Sequence, residues 1–243
     1  HTIGSQLSAE PSINADTIDQ YITKLDQLRR GRKEEISTAT EAVTALAERK
    51  ANPRTIHRTG IGEIDTRIGG MKDGQVIVIG GRPGTGKSVL LTQICVNVAD
   101  RGEGALIVSL EMMKEEIADR LNQSKPLERI AELPLYFIDT TSDLGTIVAL
   151  IRVACRRYRI GVVAIDYLQL AEVPNTRSDN RERQIATISR RLKRLAMDLQ
   201  IPILVGSQLN RESAKRGKPT LADLRESGAI EQDADIVLLL SKN

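Results

Sequence analysis

The sequence of 243 residues is poor in aromatic side chains, which make up 2% of it, with no Trp and one Phe. A core built from this sequence must therefore be aliphatic, and single-strand binding by stacking bases on aromatic rings is disfavoured. There are only two cysteines, Cys95 and Cys155, each among apolar neighbours at helix-like spacing. We interpret both as small buried hydrophobic residues in a reducing compartment.

Metal-ligating and membrane-spanning patterns are also missing. The two histidines are His1 and His57, and since we expect His57 to be exposed, no metal site is predicted beyond a nucleotide-bound Mg²⁺. No apolar stretch reaches about 18 residues and no signal-peptide pattern opens the chain, so we expect a cytoplasmic protein with no membrane partner. The formal charge of +3 is too small to indicate a nucleic-acid partner. We interpret the basic clusters as solvated faces or loops in preference to binding patches: residues 29–33, 152–159, 190–194 and 211–218.

A glycine-rich segment directly behind the apolar run 76–79 is the most informative pattern in the sequence. Such a turn, leaving a buried strand and opening a helix, directs several backbone N–H groups at one point and suits a nucleotide phosphate. Lys87 adds a positive charge for the β- and γ-phosphates, and the Ser88 hydroxyl is placed to ligate Mg²⁺. The pattern therefore predicts the binding of a nucleoside triphosphate. The segment consists of Gly81, Arg82, Pro83, Gly84, Thr85, Gly86, Lys87 and Ser88.

From residue 55 onward, strand patterns alternate with helical ones, notably helices at 147–158 and 181–199. Short continuous apolar runs are typical of parallel strands buried on both faces. We therefore predict an α/β fold with a doubly wound, mostly parallel sheet that binds ligands at the carboxyl ends of its strands. The predicted strands are residues 76–79, 105–110, 135–138, 162–165, 203–205 and 236–240.

The first 54 residues lack this alternation. Residues 1–32 are expected to be irregular or partly helical, and residues 33–54 to form a linker whose helix ends at Asn52 and Pro53. A narrow apolar stripe on this otherwise charged helix favours docking on a partner surface over burial in the core of its own chain. The stripe consists of Ile36, Thr40, Val43 and Ala47.

Three polar residues follow predicted strands and are candidates for nucleotide chemistry. Asp166 directly follows the run 162–165, where a carboxylate holds the water shell of Mg²⁺. Glu111 ends the run 105–110 and is our choice for the base that polarises the attacking water. Gln208 is either an amide that senses the γ-phosphate or a polar strand end, and the residues alone leave these two readings open.

The segment after Gln208 is long and basic, and it is followed by Arg225, Glu226, Ser227 and Gly228. Backbone N–H groups at a Ser-Gly turn beside an arginine can bind a phosphodiester without contacting bases. Basic residues spread over a loop without aromatics fit binding to the nucleic-acid backbone, and they fit a surface loop equally well.

Residues 55–240 resemble the RecA-like C-terminal motor domain of the DnaB-type replicative DNA helicases. The resemblance implies a RecA-like P-loop NTPase core in an ATP-driven, ring-shaped homohexamer. It also implies 5′ to 3′ movement on single-stranded DNA, unwinding of the replication fork, and a primase and a helicase loader as partners. The last of the matching segments separates this family from other RecA-like proteins. The segments are residues 81–88, 109–112, 165–170, 207–211 and 223–235.

The resemblance also implies a role for each candidate residue. Lys87 and Ser88 become the Walker A residues, with Asp166 as the Walker B carboxylate that helps to hold Mg²⁺. Glu111 becomes the catalytic glutamate, and Gln208 becomes the sensor.

Further residues are assigned in the same way. Arg120 matches an arginine that lies near the nucleotide in relatives. The DNA-binding loop of the family maps onto Arg225, Glu226 and Gly228. The helix at residues 33–49 matches the linker helix that packs on the neighbouring subunit.

The sequence departs from the family pattern in three places. Residues 1–32 are too short for the helical N-terminal domain of relatives, and the stretch between Arg120 and Leu133 is shorter than usual. The sequence also stops at Asn243, before the motif that supplies the trans-acting arginine finger, so weak or absent hydrolysis is expected of this chain alone. Two other functions stay open: a RecA/RadA-type DNA-dependent ATPase, and a nucleotide-gated scaffold of the same fold without motor activity.

Overall fold

Six parallel strands form the centre of the protein. The structure is a computed structural model, which describes Thr23 and residues 38–51, 55–173, 181–209 and 218–241. For residues 181 and 225–229 the backbone alone is described. The strand order across the sheet is β5-β4-β6-β7-β3-β8, and all neighbouring pairs are parallel, which confirms the predicted α/β sheet. The strands are β1 (Ile56–His57) and β2 (Met71–Lys72), which pair separately, and then β3 (Val76–Gly81), β4 (Gly104–Ser109), β5 (Leu135–Ile138), β6 (Ile160–Asp166), β7 (Ile203–Gln208) and β8 (Ile236–Leu240).

Helices cover both faces of this sheet. Alternate residues of a strand point to opposite faces, so Val76 and Val78 pack with α6 and α7, whereas Ile77 and Ile79 pack with α3 and α4. Every residue of β3, β4 and β6 is buried. The helices are α1 (Ala39–Ala51), α2 (Gly62–Ile68), α3 (Lys87–Ala99), α4 (Lys114–Asn122), α5 (Leu127–Ala131), α6 (Leu144–Arg157), α7 (Arg181–Leu199) and α8 (Gly228–Asp233), with 3-10 turns at Leu168–Leu170 and Leu221–Ser227.

The six predicted strands are all present, but several of them end elsewhere than predicted. Strand β7 continues to Gln208 and β3 continues to Gly81, because backbone pairing between these two strands persists beyond their apolar side chains. Helix α6 begins three residues before the predicted start at residue 147. The reason is a cap, in which the Asp143 carboxylate accepts a hydrogen bond from the Thr146 N–H at 2.7 Å.

Helix α1 is the described part of the predicted linker 33–54, while residues 33–37 and 52–54 lie outside the described residues. It begins after a capping box, in which Thr38 and Glu41 exchange side-chain and backbone hydrogen bonds. No side chain of α1 is buried, and Val43 and Leu46 are 65% and 51% exposed. Its assignment as a docking linker stays a prediction.

The expected exposure of His57 is wrong. The residue is 6% exposed. Its Nδ1 lies 2.5 Å from a Glu103 carboxylate oxygen and its Nε2 lies 3.1 Å from an Asp73 oxygen. These contacts hold β1 against the amino edge of the sheet, where β4 begins. None of the helices in the described ranges is long and apolar enough to cross a membrane.

Candidate nucleotide-binding site

The glycine-rich segment joins the end of β3 to the start of α3. Gly84 and Gly86 have φ angles of +70° and +94°, which residues with a side chain rarely adopt. A Cβ atom at Gly81 would collide with the Thr85 hydroxyl, which itself donates a hydrogen bond to the Arg82 carbonyl at 2.7 Å. The glycines therefore permit a tight loop that opens directly into the first turn of α3, where the backbone N–H groups have no partner within the helix.

Lys87 is the first residue of α3, and 8% of it is exposed. Its Nζ donates hydrogen bonds to the Gly81 carbonyl at 2.9 Å and to the Arg82 carbonyl at 3.1 Å. Burial lowers the pKa of the Lys87 amine, and the nearby carboxylates of Asp166 and Glu111 oppose this shift. The ammonium group is therefore held against the loop that is predicted to receive phosphates.

Asp166 ends β6 as predicted and is 7% exposed. Burial raises the pKa of its carboxyl group, while a hydrogen bond with the Ser88 side chain acts in the opposite direction. Within the part of the chain that the structure describes, Oδ1 of Asp166 has no hydrogen-bond partner. A buried carboxylate oxygen without a partner beside a serine hydroxyl supplies the hard oxygen atoms that Mg²⁺ prefers.

Glu111 lies two residues beyond β4 and is exposed. The chain turns there because the Ser109 hydroxyl donates to the Met112 carbonyl at 2.6 Å and accepts from the Met112 N–H at 3.1 Å. The turn brings Glu111 to the same side of the sheet as Arg120, an exposed residue of α4. Both residues line one cleft.

This cleft has a volume of about 450 Å³ and receives side chains from separate parts of the sequence. Asp166 lines an adjoining cavity of about 200 Å³, which shares Ser88 and Arg120 with the cleft. The structure therefore brings the sequence-predicted nucleotide residues together at the carboxyl edge of the sheet. The residues with polar side chains that line the cleft are Lys87, Ser88, Glu111, Arg120, Tyr167 and Gln208.

Sequence reasoning assigned no role to Tyr167 and Gln169, although both lie within the segment 165–170. Tyr167 lines the cleft, and burial, followed by the charges of Glu111 and Asp166, raises the pKa of its phenol. Gln169 contacts Gln208 through its side chain. The sequence signal that could have identified them is their position, one and three residues after Asp166, the predicted Mg²⁺ ligand at the end of a strand.

The predicted DNA-binding residues lie farther along the chain. Arg225 and Glu226 belong to the 3-10 helix, and Gly228 begins α8, so the expected Ser-Gly turn is helical. Their side chains lie outside the described residues, as does the segment 210–217. Assignment of these residues to DNA binding stays a prediction.

The strand order, the glycine-rich loop after β3 and the carboxylate at the end of β6 define a P-loop NTPase fold of the RecA-like class. The sequence matches the DnaB-like helicase C terminal domain over residues 57–126 and 121–243. The chain belongs to this family.

Individual relatives agree with this membership. The chain is 38% identical over 239 residues to a replicative DNA helicase DnaB of Leifsonia xyli subsp. xyli, covering 84% of this chain and 51% of the relative. It is 33% identical over 215 residues to a replicative DNA helicase DnaC of Bacillus subtilis, covering 76% and 47%. The chain therefore spans about half the length of these relatives.

Two solved structures are similar in fold. One is an ATPase domain, with a TM-score of 0.72, 29% identity, and coverage of 86% of this chain and 84% of that chain. The other is a DnaB-like replicative helicase described together with its interactions with primase. It has a TM-score of 0.71 and 28% identity, and the match covers 95% of this chain and 63% of that one.

Proposed function

We propose that the protein is the motor of a replicative DNA helicase, which hydrolyses ATP to move 5′ to 3′ along single-stranded DNA. The observation that carries this proposal is the convergence of Lys87, Ser88, Glu111 and Gln208 on one cleft, in a chain of the DnaB-like helicase family. The family match favours this function over a RecA/RadA-type ATPase and over a scaffold without motor activity.

The residues of the cleft fit ATP and Mg²⁺. The backbone N–H groups at the start of α3 and the Lys87 ammonium bind the phosphates, because both place positive charge at the end of β3. Ser88 and Asp166 hold Mg²⁺, Asp166 partly through water. When bound there, Mg²⁺ neutralises charge on the phosphate oxygens.

Two further side chains act at the γ-phosphate in this proposal. Glu111 is exposed to the cleft, so its carboxylate can orient a water molecule and accept its proton. Gln208 offers an uncharged amide at the end of β7, which can bind the γ-phosphate without adding charge. Arg120 contributes a cation to the cleft.

The remaining assignments concern partners. We propose that α1 docks on a neighbouring subunit of a homohexamer, since Val43 and Leu46 leave apolar surface uncovered on it. We propose that Arg225, Glu226 and Gly228 bind the DNA backbone inside the ring. A primase is a proposed partner because one similar structure is described with its primase interactions, and a helicase loader is proposed on the family membership.

The test is ATP hydrolysis and strand separation by a purified version of the protein that carries the arginine-finger segment of the family. We expect single-stranded DNA to stimulate ATP turnover, and we expect unwinding of a fork substrate with a 5′ tail but not of a duplex with a 3′ tail alone. Imaging with an ATP analogue should show closed six-membered rings. Equal turnover with and without DNA would contradict the motor function, and open filaments on DNA would support the recombinase-type alternative.

A further inference from the structure

The side-chain amide of Gln169 binds the end of the neighbouring strand β7. Its Oε1 accepts a hydrogen bond from the Gln208 N–H at 3.1 Å. Its Nε2 lies 3.1 Å from the Ser207 hydroxyl and 3.3 Å from the Gln208 carbonyl, and donates to both. One side chain therefore contacts both main-chain polar groups of a residue whose own side chain lines the nucleotide cleft.

These hydrogen bonds occur where regular strand pairing has ended. On its other side, β7 pairs with β3 as far as Gly81 and Gln208, but its pairing with β6 stops at Ile165 and Val205. The Leu209 N–H points to β3 and donates to the Gly81 carbonyl. Because successive N–H groups of a strand point to opposite sides, the Gln208 N–H faces the side where β6 provides no backbone partner. Gln169 supplies the missing acceptor.

The support beneath Gln169 is firmly packed. Leu168, which precedes Gln169, and Ala171, two residues after it, are each 2% exposed. The next residue, Glu172, is fixed by backbone hydrogen bonds at both groups: its N–H donates to the Ser142 carbonyl at 2.8 Å, and its carbonyl accepts from the Leu144 N–H at 2.9 Å. Gln169 is thus presented by a segment with little freedom to move.

We propose that Gln169 is a positioning residue, which replaces the missing strand partner of Gln208 and keeps the Gln208 side chain in the cleft. It acts through Gln208 and has no contact with the nucleotide in this role. The proposal rests on the proposed function, in which Gln208 acts at the γ-phosphate. The segment after β6 thereby connects the end of β6, which carries Asp166, directly to the end of β7, which carries Gln208.

The first test measures the contact itself and needs no activity. In Gln169→Ala, we expect amide hydrogen exchange at Gln208 to become about tenfold faster, because its N–H loses its acceptor. Gln169→Glu retains an acceptor oxygen but loses the donor to the Gln208 carbonyl, so it should keep only part of the protection. The matched control is Gln200→Ala, an exposed glutamine before the opposite end of β7 whose amide donates to the Met197 carbonyl. Unchanged exchange at Gln208 in Gln169→Ala would overturn the proposal.

The second test separates positioning from general stability. We expect Gln169→Ala to lower the kcat of DNA-stimulated ATP turnover about tenfold or more while KM for ATP stays within about twofold, as for a small displacement of a catalytic group. Gln169→Glu should recover part of kcat, and Gln200→Ala should match the wild type. A rise in KM without loss of kcat, or equal losses in both Ala variants, would overturn the proposal. These assays use the version that carries the arginine-finger segment. Absence of DNA-stimulated turnover in that wild type would instead contradict the proposed function, and the exchange result would still decide the role of Gln169.

Discussion

His57 and Asp235, at the amino edge of the sheet, are paired with charged side chains, whereas Asp166 and Glu111, at the carboxyl edge, line two adjoining cavities. At the amino edge, His57 lies between Glu103 and Asp73. At the same edge, Asp235 accepts hydrogen bonds from Lys193 Nζ at 2.6 Å and from the backbone N–H that begins β3 at 2.7 Å. These contacts satisfy buried and half-buried polar groups at the amino edge of the sheet.

The carboxyl edge is arranged differently. Asp166 is buried with one oxygen that has no partner among the described residues, and Glu111 is exposed close to it. Lys87 is bound to carbonyls of its own loop rather than to a carboxylate. A buried carboxylate with an oxygen that lacks a partner is costly, so we expect Asp166 to lower the stability of the protein in the absence of a ligand.

The largest expected effect is a loss of ATP chemistry on changing the carboxyl edge. Lys87→Ala should lower ATP turnover by about a hundredfold or more, because it removes the positive charge at the phosphates, and it should also weaken ATP binding. Glu111→Ala should keep ATP binding and lose turnover. Titration with a fluorescent ATP analogue, together with steady-state hydrolysis, measures both quantities. Equal loss of ATP affinity in the two variants would show that the assigned roles are wrong.

A change at the amino edge should give the reverse result. Asp235→Ala leaves the Val76 N–H without its side-chain acceptor and the Lys193 ammonium with only the Gly74 carbonyl, so we expect the free energy of unfolding to fall by about 2 kcal/mol. Affinity for ATP should stay within about twofold, since the change lies at the far end of β3. Urea unfolding measures the first quantity and nucleotide titration the second. Asp119→Ala, at an exposed position of α4, serves as the control. An equal loss of stability in this control would mean that the effect is not specific to the amino edge of the sheet.

The two edges also differ in how far the sequence predicts them. Asp166, Lys87 and the loop glycines were found because their signal is local: an apolar run followed directly by a polar residue or a glycine-rich turn. His57 was expected to be exposed, but it is buried by a partner, Glu103, that lies 46 residues away in the sequence, where no local pattern indicates the contact.

The role of Gln169 was missed for the same reason. Its partner Gln208 lies 39 residues away, and no periodicity of apolar residues indicates a contact between a side chain and a distant strand end. The predicted strands ended too early where glycine or serine residues continue the observed strand, as in the last residues of β3 and β7. Local sequence patterns therefore predict the helices and strands and the polar residues at their ends. The contacts between the ends of different elements become visible only in the folded structure.

The smallest expected effect tests whether Asp166 reduces stability, as the comparison of the two edges implies. Asp166→Asn removes a buried charge while keeping the size of the side chain, so we expect the free energy of unfolding at neutral pH to rise by about 1 kcal/mol, measured by urea unfolding with EDTA and without nucleotide. Burial raises the pKa of Asp166 in the folded state, so the wild type gains stability as pH falls through that pKa and its carboxylate becomes neutral. The advantage of the variant should therefore shrink on acidification, whereas Asp119→Asn at an exposed site should show no such trend. A variant less stable than the wild type at neutral pH would mean that the Ser88 hydrogen bond outweighs the cost of burying the charge, and that the carboxyl edge is stabilised by its carboxylate after all.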